Sequence, residues 1–366
     1  MAQTLRTAID IGGTFTDLVC YDGARAEVRF EKSLTTPAAL DAGVMECFAK
    51  GAVNVAALEH FVHGSTVAIN AVIQKTGART ALVTTAGFED VYEIGRANRP
   101  DTYNLLFEKP VPLVPASLRL GVRERVDAGG KVLVPLDAKS ALRAVRALRA
   151  ARVEAVAICF LHAYANAAHE TRMRKLIERE MPGMYVTASH EVLCEYREYE
   201  RTSTTVLNAY VGREVSRYLG ELEQPLRARA FSGQFFIMQS NGGVMTAARA
   251  RQIPVAMMES GPAGGVIGAA ALGGLAGAPD VIAFDMGGTT AKTCLIEGGL
   301  PKMTDQYYIG GYRGGYPMRL PAVDIIEVGA GGGSIAWIDA GGALHAGPGA
   351  AAANPPLPTR TSSSAG

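Results

Sequence analysis

One short pattern occurs twice in this chain of 366 residues, and the repetition limits what the chain can fold into. Residues 10–17 read Asp-Ile-Gly-Gly-Thr-Phe-Thr-Asp, and residues 285–292 read Asp-Met-Gly-Gly-Thr-Thr-Ala-Lys. Each copy lies between two short apolar runs, which predicts a strand, a tight glycine turn and a second strand. Paired glycines let backbone N–H groups approach an anion closely. One copy alone would be read as a hairpin turn, but two copies favour a site for nucleotide phosphates, gripped from both sides.

The two patterns together resemble the phosphate loops of the actin, sugar-kinase and heat-shock-chaperone ATPase superfamily. From about residue 4 to about residue 348 the chain resembles the A-type subunit of the hydantoinase/oxoprolinase family, the N-methylhydantoinase A-like subunit. The resemblance implies an α/β fold of two domains. Residues 1–190 would form the family's N-terminal domain, and residues 191–348 would form part of an incomplete second domain.

The resemblance also implies ATP and Mg²⁺ as cofactors, and it assigns roles to the two patterns. Asp10 and Asp285 would hold the metal through water, and Asp17 joins them as a candidate catalytic carboxylate. Lys292 stands where many relatives have Asp, so it either neutralises a phosphate or marks a branch with another substrate. The candidate nucleotide-binding residues are Gly12, Gly13, Thr14, Thr16, Gly287, Gly288, Thr289, Thr290, Lys292, Gly331, Gly332 and Gly333.

Other stretches resemble the family near its substrate. One stretch resembles a sequence near the family's active site; it comprises residues 63–71, His-Gly-Ser-Thr-Val-Ala-Ile-Asn-Ala. A second stretch is also similar to sequences of the family; it comprises residues 94–100, Ile-Gly-Arg-Ala-Asn-Arg-Pro. His63 is either a functional group or a satisfied interior histidine. The two arginines either bind a carboxylate or phosphate in bidentate fashion or are solvated loop residues. The candidate substrate residues are His63, Thr66, Asn70, Arg96, Arg99 and Asn241.

Three further segments bear on the site. A glycine-rich helix starting at Ser260 would present its N-terminal N–H groups to an anion. The glycine run at 329–333 is interpreted as lying beside the nucleotide, with a flexible turn as the alternative. The charged run at 195–201 predicts an exposed, capped turn before a long helix at 204–223, with an ion-pair network or a substrate contact as the other possibilities.

Composition excludes several classes of function. Lys+Arg 36 against Asp+Glu 35 gives a formal charge of +1, without the basic excess of a nucleic-acid-binding protein. The uncharged stretch at 260–279 contains too many glycines for a membrane span. Five scattered cysteines without C-x-x-C spacing argue against a disulfide framework and for a reducing compartment. Together with an N-terminus that lacks a signal peptide, these features predict a cytoplasmic protein.

The resemblance implies ATP-dependent ring opening of a cyclic amide such as a hydantoin or 5-oxoproline, with a B-type partner subunit or a homo-oligomer. Alternatives are a subunit of an ATP-dependent ketone carboxylase, a nucleotide-driven switch without a small substrate, or an inactive fragment. The family pattern fails after Pro348. The composition of residues 349–366 predicts a disordered tail, and our hypothesis for its origin is a change of reading frame near Pro348. We therefore expect a chain that folds to about residue 340, associates through uncovered apolar sheet surface and turns ATP over poorly alone.

Overall fold

In the computed structural model of the protein, residues 5–36, 39–287, 290–329, 331–339 and 341–347 are described. In chain order the α-helices are α1 (Leu40–Lys50), α2 (Val67–Ile73), α3 (Val91–Ile94), α4 (Ala138–Ala150), α5 (Ala168–Glu180), α6 (Ser189–Val192), α7 (Glu198–Ala228), α8 (Ala247–Gln252) and α9 (Ser260–Leu275). The strands are β1 (Leu5–Ile11), β2 (Phe15–Asp22), β3 (Glu27–Leu34), β4 (Leu58–Ser65), β5 (Thr80–Thr85), β6 (Arg119–Val122), β7 (Arg125–Val126), β8 (Val132–Val134), β9 (Ala155–Cys159), β10 (Tyr185–Ala188), β11 (Gln234–Met238), β12 (Val244–Thr246), β13 (Val281–Met286), β14 (Ala291–Glu297), β15 (Leu300–Pro301), β16 (Met303–Thr304), β17 (Tyr307–Ile309), β18 (Tyr316–Met318), β19 (Ala322–Val323), β20 (Ile326–Val328), β21 (Ile335–Ile338) and β22 (Leu344–Gly347).

By its contacts the chain divides into two compact units. The first comprises residues 1–264 and 303–323, and the second comprises residues 265–302 and 324–366. The sequence predicted a tail at 349–366, which lies outside the described residues. Across the described parts of the chain, none of the helices combines the length and the apolar character needed to span a bilayer.

A six-stranded sheet in the first unit carries the first glycine pattern. Its strand order is β12-β11-β4-β1-β2-β3, and β1, β4 and β11 run parallel to one another. Buried and exposed residues alternate along β1, as expected for a strand with one face on a core. The two strands predicted on either side of the first glycine turn are confirmed as β1 and β2. Because parallel strands end at the same edge, the chain segments after β1, β4 and β11 meet there.

A second, four-stranded sheet of order β10-β9-β5-β6 is entirely parallel. Every residue of β9 is buried, as is usual for a strand with neighbours on both sides and helices above and below. Helix α4 packs on this sheet and begins directly after Asp137. The Asp137 carboxylate caps it by accepting a hydrogen bond from the Ser140 backbone N–H at 2.7 Å.

Helix α7 connects the two cores of the first unit. Leu207 and Val211 pack in the core of the six-stranded sheet, whereas Val206 and Ala209 pack in the core of the four-stranded sheet. The sequence predicted this helix only from residue 204, but it begins at Glu198, and Glu200 to Thr205 are buried. The prediction of an exposed turn at 195–201 was therefore wrong for the last residues of that run. Their charged side chains form ion pairs inside the protein.

The second unit contains a sheet in which β14 pairs with β13, β15 and β20. Ala283 and Cys294 are buried on one face of this sheet. The opposite face leaves a set of large apolar side chains exposed, and these are Ile282, Phe284, Met286, Leu295, Ile326 and Val328. Such a continuous apolar face is the kind of surface that associates with other apolar surfaces in water.

Candidate functional site

The first glycine pattern forms a hairpin turn whose tip is open. Ile11 pairs with Thr16 as the last rung of the β1–β2 ladder, and the Gly12 N–H donates to the Phe15 carbonyl at 2.9 Å to close the turn. Gly13 and Thr14 are exposed at the tip, and a Cβ built on Gly13 meets no atom within 4 Å. The backbone of this turn is therefore accessible to a ligand.

The end of β3 supports the same turn from behind. The Thr35 hydroxyl donates to the Gly12 carbonyl at 2.9 Å, and the Thr35 N–H donates to the Thr14 carbonyl at 2.9 Å. Thr16 is fully buried, and its hydroxyl lies 3.3 Å from that of Thr35. Thr16 therefore fixes the shape of the turn from its inner side, whereas Thr14 is the threonine at its open side.

Asp10 lies in a cradle made by two glycines that are distant in sequence. It is paired with Gly64 in the parallel β1–β4 register, so both residues face the same side of the sheet. A Cβ at Gly64 would stand 2.5 Å from Asp10 Oδ1, and a Cβ at Gly261 would stand 2.8 Å from the same atom. The carboxylate thus occupies space that any other residue at either position would fill.

Helix α9 brings Gly261 to the carboxylate. Its first residue, Ser260, is fixed to the end of β4, because its hydroxyl donates to the Ser65 carbonyl at 3.0 Å and accepts from the Ser65 N–H at 3.1 Å. The N-terminus of a helix carries positive partial charge, which attracts an adjacent carboxylate. The start of α9 thus lies beside a carboxylate of the protein, and an external anion at this helix start stays a prediction.

Several candidate substrate residues lie at the same edge of the six-stranded sheet. The Thr66 hydroxyl donates to the Ile11 carbonyl at 3.2 Å, and the Asn70 amide donates to the Thr66 hydroxyl at 3.1 Å. Asn241 follows β11, the strand next to β4, and its side-chain oxygen accepts from the Gly243 N–H at 2.8 Å. These three side chains are half-buried, and their roles toward a substrate remain a prediction.

His63 belongs to the opposite, core-facing side of β4. It is fully buried, its Nδ1 lies 3.0 Å from the Ile9 carbonyl oxygen, and its Nε2 contacts the Tyr218 hydroxyl. Burial, partly opposed by the bond to Ile9, lowers the pKa of His63 to about 4. This environment is that of a neutral interior histidine, the second of the two possibilities left open by the sequence.

Asp17 lies across the hairpin from Asp10. It is half-exposed and forms an ion pair of 2.5 Å with Lys32 on the neighbouring strand β3. A partly exposed pair of this kind contributes at most about 1 kcal/mol to stability, so Lys32 is a weak restraint. The catalytic role of Asp17 stays a prediction.

The second glycine pattern forms a turn of the same construction within the second unit. The Gly287 N–H donates to the Thr290 carbonyl at 3.0 Å, and Asp285 pairs with Lys292 across the β13–β14 ladder. Lys292 lies 3.9 Å from Glu327, its register partner on β20. Of the predicted phosphate contacts, Gly288 and Thr289 lie outside the described residues.

The glycine run that follows β20 contacts this second turn. The Gly332 N–H donates to the Gly287 carbonyl at 2.9 Å. The Gly331 N–H donates to the Ser334 hydroxyl at 3.0 Å, which shapes the run into a defined turn. Gly332 and Gly333 are exposed. The run therefore lies beside the predicted phosphate loop, and direct contact with a nucleotide is a prediction.

The two candidate arginines differ sharply in their surroundings. Arg96 donates through Nε and Nη2 to the two carboxylate oxygens of Glu200 at 2.7 and 2.6 Å, and that carboxylate is 2% exposed. Arg96 also lines a cleft of about 280 Å³, whereas Arg99 is exposed and does not line it. The sequence treated the arginines as equivalent, but the structure orients only Arg96.

Sequence reasoning missed both cradle glycines as partners of Asp10. Gly64 was visible within the His-Gly-Ser-Thr stretch and Gly261 within Ser-Gly-Pro, but no local signal relates either to Asp10. Among the described residues, no cluster of three or more His, Cys, Asp or Glu side chains is arranged to hold a metal ion. Asp10 and Asp285 thus remain the predicted metal-binding carboxylates.

The comparison with protein families settles the class. The family model described as the Hydantoinase/oxoprolinase N-terminal region matches residues 6–181, and the one described as Hydantoinase/oxoprolinase matches residues 201–362. The chain belongs to the hydantoinase/oxoprolinase family, as its motifs predicted. That family includes caprolactamase, 5-oxoprolinase and acetone carboxylase.

Individual relatives match along nearly the whole chain. An uncharacterized protein of Methanocaldococcus jannaschii is 41% identical over 97% of this chain and 54% of its own length. The α subunit of caprolactamase from Pseudomonas jessenii is 34% identical over 96% of this chain and 51% of its own length. The γ subunit of acetophenone carboxylase from Aromatoleum aromaticum is 34% identical over 95% of this chain and 50% of its own length. The chain thus spans about half the length of these curated relatives, and the last two of them are named as subunits.

Solved structures confirm the predicted fold class. The ATP-dependent caprolactamase from Pseudomonas jessenii matches with a TM-score of 0.82 and 33% identity, over 94% of this chain and 50% of that one. Nucleotide-free acetone carboxylase, whose carboxylation of acetone is ATP-dependent, matches with a TM-score of 0.82 and 30% identity, over 95% and 51%. The α/β fold is therefore that of ATP-dependent members of the family.

Proposed function

We propose that this chain binds ATP through its two glycine turns and contributes to phosphoryl activation of a small carbonyl compound. The observation that carries the proposal is the common construction of the turns. In each, an Asp stands one residue before the last ladder pair, and a glycine N–H closes the turn onto a carbonyl three residues later. Exposed backbone N–H groups in such turns are suited to phosphate oxygens.

The donor set at Asp10 fits a hydrated magnesium ion. Mg²⁺ prefers oxygen ligands, retains several waters and takes one or two carboxylates from a protein. Gly64 and Gly261 leave room for the Asp10 carboxylate beside the turn, and a Cβ at either position would displace it. When bound, the ion would neutralise phosphate charge. Asp10 and Asp285 are the residues that we propose to hold it, and Gly12, Gly13, Thr14, Gly287 and Thr290 are proposed to contact phosphates.

The chemistry that we propose is ring opening of a cyclic amide such as a hydantoin or 5-oxoproline. Resonance makes an amide carbonyl a poor target for water, and phosphorylation of the amide oxygen converts it into an activated centre with a good leaving group. This reaction requires positioning, charge stabilisation and exclusion of water more than a protein nucleophile. The caprolactamase relative, whose name denotes action on a lactam, supports this choice.

A ketone carboxylase subunit is the second candidate, because acetone carboxylase matches the fold equally well, with a TM-score of 0.82. In that case the oxygen that receives the phosphoryl group would belong to a ketone enolate. We also propose a B-type partner subunit or self-association, and a cytoplasmic location. All five cysteines are free thiols, which is compatible with a reducing compartment.

The test is ATP turnover by the chain with lactams, hydantoins or ketones, each with and without a B-type partner. Stimulation by a cyclic amide, with release of the ring-opened acid, is the expected result. Stimulation by ketones alone would favour the carboxylase alternative. Stimulation only by a protein partner, with no small molecule consumed, would contradict both and indicate a nucleotide-driven switch.

A further inference from the structure

A cleft of about 280 Å³ opens in the first unit, formed by the segment 92–112, by Tyr199 of helix α7 and by the β17–β18 hairpin. We call it the tyrosine cleft. The lining side chains that matter here are Arg96, Lys109, Tyr199, Tyr308, Tyr312 and Arg313. A cleft of this size encloses a small organic molecule, and an apolar lining with a few placed polar groups is typical of such sites.

The tyrosines give the cleft flat walls. The rings of Tyr308 and Tyr312 meet edge to face, with centroids 5.0 Å apart and an interplanar angle of 87°. Gly95, which has φ 59°, allows the Tyr199 ring to pack on the backbone, since a Cβ there would stand 3.1 Å from the ring. Burial raises the pKa of Tyr199 to about 12, so its hydroxyl stays protonated near neutral pH. A flat ring of a ligand can pack against the accessible faces or edges of such tyrosines.

The polar side chains of the cleft are mainly cationic. Glu200 holds Arg96 through Nε and Nη2, which leaves Nη1 without a hydrogen bond to any described residue. Arg313, at the tip of the β17–β18 hairpin, is exposed and forms no ion pair within the described part of the chain. Lys109 donates to the Ile94 carbonyl at 2.8 Å.

Two carboxylates, the one that lines the cleft and the one that holds Arg96, are already paired. Glu93 is the acidic residue that lines the cleft, and it forms an ion pair of 2.6 Å with the buried Arg119. Glu200 is paired with Arg96 and almost completely buried. The charges of Lys109 and Arg313 are therefore left to attract an anion into a cleft whose walls accept a flat ring.

We propose that the tyrosine cleft binds a small flat ring compound that carries a carboxylate, with the ring against Tyr308 and Tyr312 and the carboxylate facing Arg313 and Arg96. This inference goes beyond the proposed function, because it assigns a second binding site with its own ligand chemistry. Charge-assisted hydrogen bonds to a carboxylate are roughly twice as strong as neutral ones, so the anionic group should dominate the affinity.

The test uses benzoate and benzamide, which have the same shape and differ in charge, and titrates each into the chain by calorimetry without nucleotide. Benzoate should bind roughly tenfold or more tightly than benzamide. Arg313→Ala should weaken the binding of benzoate and leave that of benzamide unchanged. Tyr312→Ala should weaken the binding of both. Both side chains are exposed, so neither substitution should affect folding.

Arg146→Ala is the matched control, because Arg146 is an exposed arginine of helix α4 that does not line the cleft. It should leave the affinity for benzoate unchanged. Three results would overturn the proposal: equal affinity for the two probes, no binding of benzoate at about 10 mM, or equal losses of affinity in Arg146→Ala and Arg313→Ala.

A further experiment shows whether the natural ligand is a substrate or an effector. It also tests the tyrosine cleft independently of the ATP proposal. Asp10→Asn should leave benzoate binding intact even if it abolishes nucleotide binding. With ATP present, consumption of 5-oxoproline that is lost in Arg313→Ala would assign the cleft to a substrate. A change in ATP turnover without consumption of the added carboxylate would assign it to an effector, and either result supports the site.

Discussion

The carboxylate of Asp10 lies so close to Gly64 that a Cβ on this glycine would stand 2.5 Å from Asp10 Oδ1. Gly64 belongs to the neighbouring parallel strand and is the register partner of Asp10. Gly261, from the start of helix α9, approaches the same carboxylate from another element. The position of Asp10 is thus set by two residues without side chains, which makes the cradle testable by adding single methyl groups.

We predict that Gly261→Ala weakens Mg²⁺-dependent ATP binding while the chain stays folded. The added methyl group would stand 2.8 to 2.9 Å from both carboxylate oxygens, and the flexible end of Asp10 would move before the backbone does. Loss of one charge-assisted contact is worth roughly 1.5–3 kcal/mol, or about ten- to a hundredfold in Kd. Gly265→Ala, on the same helix but with no atom within 4 Å, is the control and should bind as the wild type does. Equal affinities in both variants would show that the cradle does not position a ligand-binding group.

Lys292→Ala should weaken the binding of ATP more than that of AMP. An ammonium group acts as a point charge, so its effect is greatest on the outer phosphates of a nucleotide. Lys302→Ala, which removes an exposed lysine 3.7 Å from Asp324, serves as the matched loss of charge. If Lys292→Ala weakened the binding of both nucleotides by the same factor, Lys292 would instead be part of a structural ion pair with Glu327 on β20.

Arg201→Met should lower the free energy of unfolding by roughly 3–5 kcal/mol, because it removes one partner of a buried pair of opposite charges. Arg201 is fully buried, donates to the Phe160 carbonyl at 2.8 Å and lies 3.8 Å from Glu170, whose side chain is also inaccessible. Urea unfolding measures the change. Arg172 is an exposed arginine on α5, and Arg172→Ala should change the free energy of unfolding by less than about 0.5 kcal/mol. Equal small effects would mean that the buried pair is dispensable.

We predict that the protein loses folding stability in mild acid because of His63. Burial lowers its folded-state pKa to about 4, below the value of about 6.5 in an unfolded chain. The unfolded state therefore binds the proton more readily, so stability is fully present above pH 6.5 and falls as the pH decreases toward 4, by up to about 3 kcal/mol. His63→Gln removes this proton and should flatten the dependence of Tm on pH in that window. An unchanged profile would contradict the assignment.

The hairpins could be predicted from sequence because their information is local. Asp-x-Gly-Gly-Thr between apolar runs specifies strand, turn and strand, and the ladder registers at Asp10 and Asp285 follow from the tight turn. The start of α7 could not be predicted in the same way. Arg201 looks like a solvated charge until Glu170, 31 positions earlier, is seen to share its burial.

The candidate site depended still more on distant contacts. Gly261 reaches Asp10 only because Ser260 is bonded to the end of β4, and the sequence separation hides this. The tyrosine cleft combines the segment 92–112 with a hairpin two hundred residues later, so Arg96 and Arg99 were indistinguishable beforehand. The interior position of His63 followed from the alternation of β4 once its neighbours were known.

The measurement that tests the central claim most directly is the affinity for ATP, with and without Mg²⁺, of Asp10→Asn and Asp285→Asn beside the wild type. Glu27→Gln, an exposed carboxylate at the far end of the same sheet as Asp10, is the control for loss of one negative charge. The two aspartate variants should each lose the Mg²⁺-dependent part of the affinity, by roughly 1.5–3 kcal/mol, whereas Glu27→Gln should retain it. Unchanged Mg²⁺-dependent binding in both aspartate variants would contradict the assignment of the glycine turns to ATP.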